Sequence, residues 1–152
     1  MLKTIFLTLI MITFLYSSEQ KNKSLEKEKQ IVLRELNQAF TKFDNQKVLK
    51  LYKKLANIYK QNGEYYKSVR YYKLALKLSL AKEKQDNKEK IALYHDIGYC
   101  YKKIGNNYKT FKYTYLATKL ASKTYGKNSK LAKKLQNDIE KIQSRLIASS
   151  IY

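Results

Sequence analysis

Proline is absent from this chain and glycine occurs only four times, a composition that suits long helices joined by few tight turns. Cysteine and histidine occur once each. The lone Cys100 excludes an internal disulfide and a cysteine-based metal cluster, and it lies too far along the chain to carry a lipoprotein anchor. There is no glycine-rich phosphate loop, no metal-spaced ligand set and no nucleophile with a base in reach. No catalytic residue, metal or cofactor is therefore expected. Acidic residues are also few, 12 against 32 basic ones, which gives a formal charge of +20. Such a field favours acidic partners: an acidic peptide, an anionic lipid or envelope polymer, or nucleic acid. Only Arg34, Arg70 and Arg145 are arginine. Abundant Lys, Asn, Tyr and Ile is also what an AT-rich genome supplies, so the charge has a purely compositional explanation beside the functional one.

What is present is enough apolar side chain, 44%, for one globular domain in 152 residues. Residues 1–18 read separately from it. Lys3 supplies a short basic start, and residues 5–16 form an apolar run of 12. That is too short to span a bilayer, which needs about 20 residues, but it fits a signal-peptide core. Ser17 with Leu15 two positions before it gives a cleavage site, and Ser18 with Tyr16 a poorer one. The expectation is an exported protein, periplasmic or extracellular, with a mature chain starting near Ser18. An uncleaved N-terminal membrane anchor is the alternative, because the site departs from the small-x-small pattern. Residues 19–24 read as a polar linker.

Beyond it the apolar spacing predicts six helices, at 25–43, 46–61, 64–85, 88–104, 107–125 and 129–148. Asp44 with Asn45, Asp86 with Asn87, and Ser129 stand where helix N-caps are needed. Gly63 and Gly105 stand at helix ends, where glycine takes a left-handed turn. A shift of 42 places Tyr52, Leu55, Tyr59, Lys60, Gly63, Tyr71 and Ala75 on Tyr94, Ile97, Tyr101, Lys102, Gly105, Tyr113 and Ala117. Self-similarity at a fixed period marks a stacked repeat array. Repeat 1 is 46–85 and repeat 2 is 88–125. Helix 25–43 aligns with the second helix of a repeat, but Glu26 and Gln30 replace Ser68 and Tyr72. Helix 129–148 aligns with the first, but Gln136, Glu140 and Gln143 replace Tyr52, Ala56 and Tyr59. Polar outer faces at both ends are what a soluble array needs, so 25–148 reads as a complete six-helix unit.

At Tyr52, Leu55-Ala56, Tyr59, Gly63, Tyr65, Tyr72 and Ala75, and at Tyr94, Ile97-Gly98, Tyr101, Gly105 and Ala117, the pattern resembles the tetratricopeptide repeat. Thr114 and Asn107 depart from it, since aromatics are usual there. The period of 42 exceeds the family's usual 34 or so and is similar to that of the kinesin-light-chain type. The resemblance implies an all-α, right-handed superhelical stack of antiparallel helix pairs. It also implies a concave groove, lined by the first helix of each pair, that holds a peptide or partner helix.

Transferring the groove positions gives Lys50, Lys53, Asn57 and Lys60 from repeat 1, and Ala92, His95, Tyr99 and Lys102 from repeat 2. The last helix gives Lys134, Asn137 and Lys141. Lys53 and Asn57, with Lys134 as a third member, resemble part of the family's carboxylate clamp, but Asp96 and Asp138 stand where a clamp wants an amide and a cation. That leaves a basic groove for an acidic segment, or a solvated lysine-rich face with no selective ligand. His95 reads as a half-exposed polar residue and Cys100 as small core. Tyr52, Tyr59, Tyr94 and Tyr101 read as packing residues and Tyr99 as the exception. The leading function is an exported binding scaffold for a protein or peptide, with no small-molecule substrate and with nucleic acid disfavoured by export. Binding of an anionic envelope polymer or membrane surface, and an extracytoplasmic ligand-sensing domain, are the alternatives.

Overall fold

A computed structural model describes residues 2–81 and 87–150, with side chains at 6–81 and 87–148. Six helices account for almost all of them: α1 Leu2–Thr41, α2 Asn45–Gln61, α3 Tyr65–Leu80, α4 Asn87–Ile104, α5 Asn107–Tyr125 and α6 Lys130–Ser150. Among the described residues there is no strand. Each helix packs chiefly on its neighbours in sequence, α1 on α2 through to α5 on α6. This is the contact pattern of an all-α solenoid.

The helix limits follow from local chemistry. The Asp44 carboxylate accepts the Lys47 backbone N–H at 2.9 Å to open α2, and the Asn106 side chain accepts that of Lys109 at 2.9 Å to open α5. The Ser129 hydroxyl oxygen accepts the Ala132 N–H at 3.3 Å ahead of α6. Two expectations change. The 19–24 stretch is helix, not linker, so α1 runs unbroken for 40 residues, about 60 Å at the usual helical rise. Helix α3 ends at Leu80. The remainder of its expected length, with the Asp86 cap, lies outside the described residues.

The core begins at Leu25. Leu25, Val32, Leu36 and Ala39 of α1 pack on Val48, Leu51, Leu55 and Ile58 of α2. Leu49, Ala56, Val69, Tyr72, Ala75, Leu93, Ile97 and Cys100 continue the core through α3 and α4. Ile91, Ala117, Ala121, Ala132 and Leu135 carry it to α6. The 42-residue period survives in three dimensions. Tyr59 stacks on Tyr71 with centroids 5.4 Å apart, and Tyr101 on Tyr113 at 5.6 Å. Lys67 and Lys109 lie over the first ring of each stack. As expected, Glu26, Gln30, Gln136, Glu140 and Gln143 are exposed on the end helices. Upstream of the core, the apolar side chains from Phe6 to Tyr16 stand exposed on α1. No helix of the described residues is long and apolar enough to cross a membrane.

One turn is strained. Gly63 and Gly105 close α2 and α4 at φ 77° and 82°, but the matching position after α1 is Phe43, at φ 53°. Its side chain is 90% exposed, so no packing offsets the left-handed backbone. Phe43→Gly should therefore raise stability by about 1 kcal/mol, read as a higher urea midpoint with an unchanged denaturant slope.

Candidate partner-binding clefts

The inner helices α2, α4 and α6 form two successive interfaces, and the 42-residue register makes them directly comparable. At the first, Lys53 Nζ lies 2.9 Å from Glu89 Oε1 and Lys60 Nζ 2.9 Å from Asp96 Oδ1. Both pairs join α2 to α4. Tyr72, 1% exposed, fills the floor and donates its hydroxyl to Asn57 Oδ1 at 2.6 Å. Lys60 also sits over the rings of Tyr72 and Tyr99 at 5.5 and 5.8 Å. Lys53, Asn57 and Lys60, expected to meet a partner, are thus engaged within the chain. Asp96, expected to repel a bound carboxylate, is the counter-ion of Lys60.

At the second interface several of these elements change. Tyr72 becomes Thr114, Ala56 becomes Gly98, and Glu89 becomes Leu131. Lys60 and Asp96 recur as Lys102 and Asp138. The floor aromatic is missing, and a cleft of about 130 Å³ opens between α4 and α6. His95, Gly98, Tyr99 and Lys102 line it from α4, and Thr110 and Thr114 from α5. Asp138, Lys141, Ile142 and Arg145 line it from α6. Among the described residues Lys102, Lys141, Arg145 and Asp138 make no ion pair with one another or with anything else. Gly98 permits the close approach of α4 to α5, since a Cβ there would meet Thr114 Oγ1 at 3.0 Å.

Of the residues expected on a groove, His95, Tyr99, Lys102 and Lys141 come together here. Lys50, Ala92, Lys134 and Asn137 are exposed and do not line the cleft. His95 is half-buried and Tyr99 is 40% exposed. Arg145, Thr110 and Thr114 are additions. Arg145 had a sequence signal, standing four residues after Lys141 and seven after Asp138 on one helical face. Thr114 had one too, as a lost aromatic, whereas Thr110, which stands where repeat 1 has Ser68, had none. Among the described residues no group of His, Cys, Asp and Glu is placed to hold a metal ion.

Burial pushes the Tyr72 hydroxyl up to about 12, against the opposing pull of Lys60 beside it. At Lys60 burial favours loss of the proton, but contact with the Tyr72 hydroxyl and the Asp96 carboxylate outweighs it, and the ammonium is held above its ordinary range.

The stack and its inner-helix clefts define a helical-repeat scaffold. No protein-family model and no curated protein matches the chain. Among solved structures it is similar to BtubC (BKLC) from P. vanneervenii, a bacterial kinesin-light-chain-like tetratricopeptide protein, with a TM-score of 0.62 and 20% identity. The match covers 80% of this chain and 50% of that one, so this chain spans about half the length of its neighbour. At that identity the likeness is one of fold.

Both raised groups keep their protons in the folded chain and release them nearer pH 10 in the unfolded one. Stability from this cluster should be complete below about pH 10 and fall as pH rises toward about 12. Urea midpoints measured across that range should decline, and less steeply in Tyr72→Phe.

Proposed function

We propose that this chain is an exported scaffold that holds an acidic segment of a protein partner, with one acidic side chain seated in the α4–α6 cleft. The observation that carries this reading is the contrast between the two interfaces. Lysines at the first are answered by Glu89 and Asp96, whereas at the second Lys102, Lys141 and Arg145 face one carboxylate, Asp138, with no ion pair formed. Three cations against one anion leave a site that a carboxylate completes. Its 130 Å³ is smaller than the roughly 300–1,000 Å³ of small-molecule sites, so it suits one side chain of a longer ligand. Tyr99 and His95 on its rim offer packing to the flanking residues.

A fluorescent glutamate-rich peptide followed by anisotropy tests this. Lys102→Glu with Lys141→Glu should abolish saturable binding, and Thr114→Tyr, which fills the cleft without altering charge, should weaken it about tenfold or more. Lys112→Glu with Lys127→Glu, the same charge change on exposed positions away from the cleft, should cost little. Equal losses from both double variants, with a steep fall in salt, would instead assign binding to charge spread over the whole surface.

Export is supported by the basic start and apolar run of residues 1–18, whose described apolar side chains take no part in the core. Residues 1–24 fused to alkaline phosphatase should give active, exported enzyme. N-terminal sequencing of the full protein should find a chain starting near Ser18, and an intact Met1 would assign a membrane anchor. An inactive fusion would return nucleic acid to the possible partners.

A further inference from the structure

A second cleft, sharing no residue with the first, lies where the end of α3 meets the start of α4 and the second half of α5. Its volume is about 380 Å³, and its walls are Leu80, Tyr94, Leu116 and Leu120. Its polar lining among the described residues is Asn87 and three lysines, Lys90, Lys119 and Lys123, with no carboxylate among those. Lys90 is the unusual member. It is 6% exposed, and among the described residues it has no hydrogen bond and no ion pair. On the inner face, by contrast, the more exposed Lys53 and Lys60 each meet a carboxylate. The Lys90 stem is covered by the stack while its ammonium is left to the cleft, where the other two charges are also cationic.

Among the described residues no buried side-chain nitrogen lacks a partner, so it is the stem of Lys90 that is buried while its ammonium reaches the solvent of the cleft, placed to meet an anion. An apolar wall ending in three ammonium groups matches a molecule with the inverse polarity. We infer that this cleft binds a carboxylate carrying a single long apolar tail, a fatty acid in chemical class, with the head between Lys90, Lys119 and Lys123 and the tail along Leu80, Tyr94, Leu116 and Leu120. Tail burial supplies the bulk of the affinity and the lysines the orientation. The volume lies within the usual range for small-molecule sites, and the site is independent of the acidic-segment cleft.

The test is calorimetric titration of the purified full chain with laurate, kept below its micelle concentration. Dodecanol, acetate and phosphatidylglycerol vesicles are run in parallel. Laurate should bind saturably with one molecule per chain, dodecanol about tenfold or more weaker for want of the charged head, and acetate not at all. Lys90→Met, which keeps the stem, should weaken laurate by a similar factor. Lys119→Ala with Lys123→Ala, on exposed side chains, does the same even if Lys90→Met fails to fold. Lys102→Ala with Lys141→Ala removes equal charge from the other cleft and should change nothing. Equal affinity for laurate and dodecanol would overturn the inference. So would an equal effect from the control pair, or binding to vesicles without binding of free laurate.

Discussion

The closeness with which paired helices can approach at one small residue governs everything else in this molecule. In repeat 1 that residue is Ala56, whose carbonyl accepts the buried Ser68 hydroxyl at 2.8 Å. In repeat 2 it is Gly98, where even a methyl group would press on Thr114. Close backbones bring the aliphatic rows into register, and the register repeats because the small residues do. With α2 and α4 both packed on α3, lysines of α2 reach carboxylates of α4.

From that constraint the two inner interfaces diverge through a handful of substitutions. A large aromatic floor and two ion pairs close the first. A threonine floor and a leucine in place of a glutamate leave the second open, although the lysine and aspartate of one pair are still present. The closed interface is held by ion pairs between repeats, and the open one leaves its charges unpaired among the described residues. A repeat protein can thus open a cleft at one of its own joints without altering its architecture.

Much of this was legible in sequence, for identifiable reasons. Caps at Asp44 and Ser129 and the glycine turns are local, and the core stripe from Val32 to Ala39 follows helical spacing, so both could be read directly. Thr114 was visible as a lost aromatic, yet its consequence, a cavity, needed the third dimension. The ion pairs of Lys53 and Lys60 span 36 residues, a distance set by the stacking of α2 on α4 and not by any period in the chain. They could not be anticipated, and lysines that the structure engages were read as free. The apparent linker at 19–24 failed differently: polar residues after an apolar run look like a break, but without glycine or proline nothing stops the helix. Lys90 gave no signal at all, since its burial depends on what α3 and α5 place around it.

The position of Leu25 as the first buried residue has a consequence for biogenesis. Among the described residues no side chain before Leu25 enters the core, so the packing of the stack does not depend on that part of α1. The stack's contacts join neighbouring helices almost exclusively, and chains held by such local contacts fold fast. Each helix can therefore dock on the one before it as soon as it is made, so the stack should assemble stepwise from α1 during synthesis, not wait for α6.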